Sequence, residues 1–153
     1  MSLNRIFARI SSDTVETEAL GAELAQMMLT DPTLPRFVAL YGDLGVGKTA
    51  FVRGFASVIT PNSLVRSPTF ALVNEYRAKP HVLFHFDMYR IESEDDLDSI
   101  GFYDYLDHGI CLVEWSERIP YALPDDYLRV TIEKDVSQGD GFRKITLERI
   151  GLG

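Results

Sequence analysis

The stretch Gly42-Asp43-Leu44-Gly45-Val46-Gly47-Lys48-Thr49 matches the pattern GxxxxGK(S/T), where x is any residue, at every fixed position. Its three glycines allow the backbone to turn tightly around an anion, so that successive amide N–H groups point at phosphate oxygens. Lys48 offers a positive charge to the β- and γ-phosphates, and the Thr49 hydroxyl is suited to Mg²⁺. The helix that begins here directs its positive end at the same phosphates. The stretch therefore predicts a phosphate-binding loop.

The residues on either side of this loop predict a strand, the loop and a helix in that order. Phe37-Val38-Ala39-Leu40-Tyr41 is an uninterrupted apolar run, which indicates a strand covered on both faces. After the loop, apolar residues recur at positions i, i+4, i+7 and i+8 of a helix, and they are Phe51, Phe55, Val58 and Ile59. Because the three elements follow one another in this order, a chance glycine-rich turn that carries a lysine is the poorer interpretation.

Length and composition indicate one α/β domain over residues 1–153. A chain of 153 residues buries about 70% of the surface that its unfolded form exposes, which is enough for one core. The single cysteine, Cys111, excludes an intrachain disulfide, and its apolar flanks predict a buried side chain. The sequence contains no apolar stretch of about 18 residues and no signal peptide, so we expect a cytoplasmic protein.

The net charge of the chain limits its partners. Fifteen basic residues stand against 23 acidic ones, for a net charge of −8. Binding to a nucleic-acid backbone requires a basic footprint, so this balance opposes unaided binding to RNA. If the protein acts in an RNA pathway, we expect a partner to hold the RNA. The acidic run over residues 92–98 by itself is typical of an ordinary solvated surface.

The remaining segments predict a mixed sheet. Two apolar strands near the middle of the chain are separated by too few residues for a parallel crossover, so we expect them to be antiparallel. The predicted elements are a strand over 3–10, a helix from the N-cap candidate Asp13 to Thr30, the strand and helix around the loop, strands over 70–76 and 82–87, a helix over 94–106, a strand over 110–113, and strands over 127–133 and 143–150. The predicted fold is an α/β P-loop domain with a mixed parallel and antiparallel sheet, flanking helices and a C-terminal β-hairpin.

Two predicted strands end in an acid. Asp87 follows the apolar run 82–86, and Glu114 follows the apolar run 110–113. A P-loop enzyme that hydrolyses a nucleoside triphosphate needs a carboxylate that holds Mg²⁺ and a group that orients the attacking water. The sequence does not decide which of the two acids would hold the ion, and either acid alone is compatible with an ordinary surface position.

Several other polar residues have two interpretations each. Ser67 and Thr69 lie in a loop that is able to approach the γ-phosphate and to change position on hydrolysis, or they form an ordinary Ser-Pro turn. Trp115 is either part of the core or a lid near the nucleotide. His85 alternates with apolar residues along a strand, which favours a structural role over metal binding.

The class of nucleotide follows from what is missing. The guanine-reading pattern Asn-Lys-x-Asp does not occur, which favours ATP over GTP, and the arginine-rich lid of a small-molecule kinase is not evident. The residues therefore predict a Mg²⁺-dependent ATPase. Two alternatives remain, namely a nucleotide-sensing interaction module without functional turnover and a small-molecule P-loop kinase.

Five segments together resemble the TsaE (YjeE) family of bacterial P-loop ATPases, which assist threonylcarbamoyladenosine modification of tRNA. The segments are GDLGVGKTAFVRGFA, SPTFALVNEY, FHFDMYR, an acidic helix that ends in GFYDYL, and ICLVEWSER, and they span residues 13 to about 118 in the family's order. The resemblance implies an ATPase that is weak alone, works with TsaD and TsaB, contacts tRNA only through that complex, and resets the complex by hydrolysis. The final hairpin resembles the family only loosely.

The resemblance also implies a role for individual residues. ATP or ADP would be bound by Thr14, Thr17, Gly42, Asp43, Leu44, Gly45, Val46, Gly47, Lys48, Thr49 and Ala50. The two N-terminal threonines of that set would border the adenine. The catalytic residues would be Lys48, Thr69, Asp87 and Glu114. Mg²⁺ would be held by Thr49, Glu114 and Asp87, with Glu114 the better match to the acid associated with the ion.

Overall fold

Residues 2–42, 47–68 and 72–151 are described by the computed structural model, and they form a seven-stranded sheet. The strands are β1 (Ser2–Ser11), β2 (Phe37–Tyr41), β3 (Val73–Ala78), β4 (His81–Asp87), β5 (Ile110–Glu114), β6 (Tyr127–Lys134) and β7 (Arg143–Gly151). They lie in the order β1-β7-β6-β2-β5-β4-β3. The strands β6, β2, β5 and β4 are parallel, whereas β3 pairs with β4, and β7 with both β6 and β1, in antiparallel fashion. The predicted mixed sheet is confirmed.

Helices cover both faces of this sheet. They are α1 (Thr14–Thr30), α2 (Lys48–Ile59), α3 (Glu94–Ser99) and α4 (Phe102–Tyr105), with short 3-10 segments at Ser116–Arg118 and Pro120–Ala122. Because successive side chains of a strand point to opposite faces, Val38 and Leu40 of β2 pack beneath α1 and α2, and Phe37 and Ala39 pack beneath α3 and α4. We call these the α1/α2 face and the α3/α4 face. The uninterrupted apolar run of β2 is thus explained by burial on both faces.

The start of α1 follows the predicted capping. The Asp13 carboxylate accepts a hydrogen bond from the backbone N–H of Glu16 at 2.8 Å. The Glu16 carboxylate in turn accepts from the backbone N–H of Ser12 at 2.6 Å, one residue further out than in a standard capping box. Both ends of the predicted helix are confirmed.

Helices α1 and α2 touch each other backbone to backbone. A side-chain Cβ built at Gly54 would overlap the carbonyl oxygen of Glu18, and one built at Gly21 would overlap that of Phe51. Arg53 also forms an ion pair with Glu18 at 2.7 Å across the same contact. The absence of side chains at these two glycines therefore sets how closely α2 lies against α1.

The prediction of one helix over 94–106 is wrong. The segment forms the two short helices α3 and α4, which are separated at Gly101, whose φ of 70° lies in the left-handed region. Glycine adopts this conformation without steric cost and commonly ends helices. The acidic helical pattern continues across this glycine in the sequence, whereas the backbone does not.

The other predicted elements agree with the structure. The pairs β3–β4 and β6–β7 are antiparallel hairpins, and β1 lies at a sheet edge, as predicted. The first residues of the predicted strand over 70–76 fall partly outside the described residues, and β3 extends to Ala78. Cys111 is buried as expected, and burial raises the pKa of its thiol to about 12. Within the described ranges, no helix has the length and apolar character needed to cross a membrane.

Candidate active site at the carboxyl ends of the parallel strands

The predicted loop lies between β2 and α2. Gly42 directly follows β2, and Gly47 directly precedes α2 with a φ of 104°, a left-handed conformation that favours glycine. Among the described residues, no side chain caps α2, whose first turn includes Ala50. The N-terminus of a helix favours an anion, because its first N–H groups lack intrahelical acceptors. The remaining predicted loop residues lie outside the described residues, and they are Asp43, Leu44, Gly45 and Val46.

Several of the predicted site residues line one cavity. Its volume is about 380 Å³, and it is lined by Gly47, Lys48, Thr49, Ser67, Asp87, Glu114 and Trp115. A larger cavity of about 720 Å³ lies elsewhere and is lined by residues such as Arg36, His81 and His108, none of which belongs to the predicted site. We take the smaller cavity as the candidate site, because several charged and polar groups converge there next to the glycine-flanked loop.

Asp87 and Glu114 are direct partners in the pairing of β4 and β5. Because these strands are parallel and in register, both carboxyl groups lie on the α1/α2 face, side by side at the carboxyl ends of the two strands. Burial raises the pKa of Asp87 above its usual value and the charge of Glu114 raises it further, while a hydrogen bond from the Tyr89 N–H and the charge of Lys48 lower it. The two carboxylates therefore repel each other, and a bound cation would relieve that repulsion.

Thr49 is linked to the segment that contains Ser67. The hydroxyl oxygens of the two residues are 3.0 Å apart. The backbone just before Ser67 is held by β3, since the Asn74 amide donates to the Arg66 carbonyl at 2.9 Å and the Arg66 N–H donates to the Tyr76 hydroxyl at 3.1 Å. Thr69 lies outside the described residues, so its predicted role remains a prediction.

Lys48 lies against Trp115. Its ammonium nitrogen is 3.9 Å from the centroid of the Trp115 ring and donates to the carbonyl oxygen of Gly42 at 2.5 Å. Trp115 has a φ of 58°, a left-handed conformation that is costly for a bulky residue and that often marks a functional position. The tryptophan therefore forms a wall of the cavity beside the lysine.

The two N-terminal threonines differ in their relation to the loop. Thr17 is buried, and its methyl group lies 3.7 Å from the position that a Cβ on Gly47 would take. Its hydroxyl is 2.8 Å from that of Ser11. Thr14 is exposed as the first residue of α1 and does not line the cavity. The structure thus brings the methyl group of Thr17 next to the start of α2, although Thr17 does not line the cavity either.

His85 is the residue whose relation to the site sequence reasoning missed. It is fully buried, and its Nε2 lies 2.5 Å from Oε2 of Glu114. Its position two residues before Asp87 was an available signal, because residues two apart on a strand share a face. The sequence interpretation as a structural residue overlooked this contact.

The oxygen and nitrogen groups of the cavity fit Mg²⁺ and phosphate. One hydroxyl and two carboxylates, from Thr49, Asp87 and Glu114, are the hard oxygen ligands that Mg²⁺ prefers. Lys48 and the N-terminus of α2 are suited to phosphate oxygens. A glycine-flanked loop that joins a central parallel strand to a helix beginning with Lys-Thr defines the class of P-loop α/β proteins.

Comparison with known proteins identifies the family within this class. The model of the family described as "Threonylcarbamoyl adenosine biosynthesis protein TsaE" matches residues 11–145, and the chain belongs to the TsaE family. The predicted resemblance is confirmed. The match also includes all of β6 and the first residues of β7, so it extends beyond the segments that carried the resemblance.

Individual relatives support this assignment. Two proteins named tRNA threonylcarbamoyladenosine biosynthesis protein TsaE are similar over 115 residues. The one from Bacillus subtilis is 39% identical over 74% of this chain and 70% of its own, and the one from Haemophilus influenzae is 38% identical over 74% and 73%. The crystal structure of Bacillus subtilis YdiB superimposes with a TM-score of 0.76 at 30% identity and covers 99% of this chain and 89% of that one.

Proposed function

We propose that this protein binds Mg²⁺ and ATP and hydrolyses ATP as part of tRNA threonylcarbamoyladenosine biosynthesis. The observation that carries the proposal is the convergence of Lys48, Thr49, Asp87 and Glu114 on one cavity at the start of α2. The names of the relatives support the pathway, and the chemistry of the cavity supports the nucleotide.

Each group has a defined task in this proposal. Lys48, the loop N–H groups and the start of α2 bind the phosphates. Thr49 and one of the two acids hold Mg²⁺, and the other acid orients the attacking water. The Mg²⁺ that these residues would hold would supply positive charge to stabilise the phosphates. Thr17 and Thr14 border the adenine, with Thr17 closer to the loop.

The segment around Ser67 would report the state of the site. The contact between the Thr49 and Ser67 hydroxyls joins a proposed Mg²⁺ ligand to this segment. We propose that Ser67 and Thr69 change position between the ATP and ADP states, as switch loops do.

We also propose how the protein meets its partners. TsaD and TsaB would activate a weak ATPase, and hydrolysis would reset their complex in the cytoplasm. The net charge of −8 supports the idea that tRNA is held by these partners.

The test is ATP turnover by the protein alone, with TsaD and TsaB, and with tRNA added. We expect turnover to rise with the partners. Lys48→Ala should lower it on the order of 100-fold, because a group that stabilises developing charge is lost. Lys144→Ala, which removes an exposed lysine of β7, is the matched control and should retain turnover. Equal turnover in Lys48→Ala and wild type would refute the proposal.

The same assay separates the alternatives. A nucleotide-sensing module would release no phosphate with or without partners, and a small-molecule kinase would require an acceptor. To assign the acids, hydrolysis by Asp87→Ala and Glu114→Ala is followed across Mg²⁺ concentrations. The acid that holds the ion is the one whose loss raises the Mg²⁺ requirement, whereas loss of the water-orienting acid lowers turnover at saturating Mg²⁺.

A further inference from the structure

His85 lies directly behind Glu114, on the side away from the cavity. It is 0% exposed and does not line the cavity, whereas Glu114 does. The 2.5 Å contact joins the imidazole Nε2 to the Glu114 carboxylate. We propose that His85 is a positioning residue, which fixes the Glu114 carboxylate in the orientation that holds Mg²⁺. This inference rests on the proposed function and takes Glu114 as the acid that holds Mg²⁺.

The sheet register explains why the contact forms. His85 pairs with Leu112, and Asp87 pairs with Glu114. His85 therefore lies on the same face as the two acids, two residues before them along the strands. Glu114 therefore contacts the buried imidazole while still lining the cavity. A carboxylate held from behind by a rigid ring has less freedom than one on a solvated strand end, and such supporting contacts orient metal ligands.

The burial of the second ring nitrogen assigns the tautomer. Nδ1 of His85 is buried and has no hydrogen-bond partner among the described residues. A proton on Nδ1 would leave a buried N–H without an acceptor, which is rarer and more costly than an unused lone pair. We therefore place the proton on Nε2, which donates to the Glu114 carboxylate.

A neutral donor suits this position. A lysine or arginine behind Glu114 would orient the carboxylate but would also offset its negative charge. A neutral imidazole donates one hydrogen bond and leaves that charge available to a cation. The arrangement therefore combines fixed orientation with full charge at the cavity wall.

The test compares three variants by calorimetric binding of a non-hydrolysable ATP analogue, with EDTA and across Mg²⁺ concentrations. In His85→Leu we expect the Mg²⁺ concentration for half-maximal enhancement of binding to rise about 10- to 100-fold, with unchanged affinity in EDTA. His85→Gln should recover most of this loss, since its amide N–H replaces Nε2–H. Phe84→Leu, the matched control, alters the neighbouring buried side chain on the opposite face and should lower only the melting temperature.

Several outcomes would overturn the inference. An unchanged Mg²⁺ requirement in His85→Leu would do so, as would an equal loss of affinity in EDTA and in Mg²⁺, which indicates a packing role. If His85→Leu does not fold, His85→Gln is compared with His85→Asn, whose shorter amide does not reach Glu114. Equal Mg²⁺ requirements in those two would overturn the inference. If the wild-type protein shows no Mg²⁺ effect at all, the proposed function fails and the inference fails with it.

Discussion

The two faces of the sheet are packed in different ways. On the α1/α2 face, two long helices meet at Gly21 and Gly54, so that backbone contacts backbone. On the α3/α4 face, short helices are held by aromatic side chains, and the Phe102 ring lies edge to face with Phe37 at 6.2 Å and with Phe86 at 5.3 Å. The polar groups of the candidate site lie on the α1/α2 face.

This difference indicates that the helices of the α1/α2 face must be placed more accurately than those of the α3/α4 face. The helix that carries Lys48 and Thr49 is placed relative to the acids of β4 and β5 by a contact that leaves no room for a methyl group. Aromatic packing on the other face supplies burial and stability, and Trp115, which packs against that aromatic cluster, contacts Lys48 of the site. We therefore expect stability and nucleotide binding to respond differently to changes on the two faces.

The largest loss of stability should come from the α3/α4 face. Phe102→Ala removes a fully buried ring and should lower the free energy of unfolding by about 3–5 kcal/mol. Nucleotide affinity of the folded protein should stay within about 2-fold of wild type, since additive behaviour holds for sites without shared partners. Urea unfolding and calorimetry below the melting temperature measure the two effects. A fall in nucleotide affinity as well would show that the two faces do not act separately.

Gly54→Ala should affect both properties. The added methyl group overlaps the Glu18 carbonyl, so the helices must separate, which should lower the free energy of unfolding by about 3 kcal/mol. Because the start of α2 moves with the helix, nucleotide affinity should fall about 10-fold, or about 1.4 kcal/mol. Gln26→Ala, at an exposed position of α1, is the control and should change the free energy of unfolding by less than about 0.5 kcal/mol. Wild-type affinity in Gly54→Ala would contradict this account.

Asp87→Asn should stabilise the nucleotide-free protein while impairing hydrolysis. The pKa of Asp87 is raised by burial and by Glu114, so the folded state binds its proton more tightly than the unfolded state does. The ionised carboxylate therefore lowers the free energy of unfolding at pH values above the pKa of Asp87 in the folded protein. This loss shrinks as the pH falls and is gone below 3.8, the ordinary pKa of the side chain. Melting temperatures without Mg²⁺ should favour the variant at neutral pH, with a difference that shrinks toward about pH 4. A lower melting temperature at neutral pH would contradict the assigned repulsion.

The smallest effect is expected at Cys111, which is buried on the α3/α4 face. Because its thiol pKa is about 12, it remains protonated at neutral pH, and its burial blocks access. A thiol reagent at about pH 8 should therefore react far more slowly with the folded protein than with the urea-unfolded protein. Rapid modification of the folded protein would show that the packing of this face opens readily.

Local patterns predicted most elements of the fold. The apolar run of β2, the helical stripe of α2 and the capping of α1 each depend on residues close in sequence, and each is confirmed. The prediction of one helix over 94–106 was wrong because the acidic pattern continues across Gly101, where the backbone adopts a left-handed conformation. A conformation at one glycine is decided by the packing of the helices on either side, which periodicity does not contain.

The candidate site was predicted in its parts but not in its arrangement. The acids could be identified as strand ends, yet their register as direct partners depends on the pairing of β4 with β5, which are separated by two helices in the chain. The contact of His85 with Glu114 follows from that register. Likewise, the left-handed backbone of Trp115 is imposed by its surroundings, since a tryptophan has no intrinsic preference for it.

Trp115 also gives the protein an optical reporter. It is the sole tryptophan of the chain, so indole emission comes from one place, and that indole lies against the ammonium group of Lys48. A lysine that leaves the ring for a phosphate removes a positive charge from the face of the indole, where such charges interact with the π-electrons. We therefore expect nucleotide binding to change the intrinsic fluorescence of the unlabelled protein, which would allow rapid-mixing kinetics to be recorded without a dye.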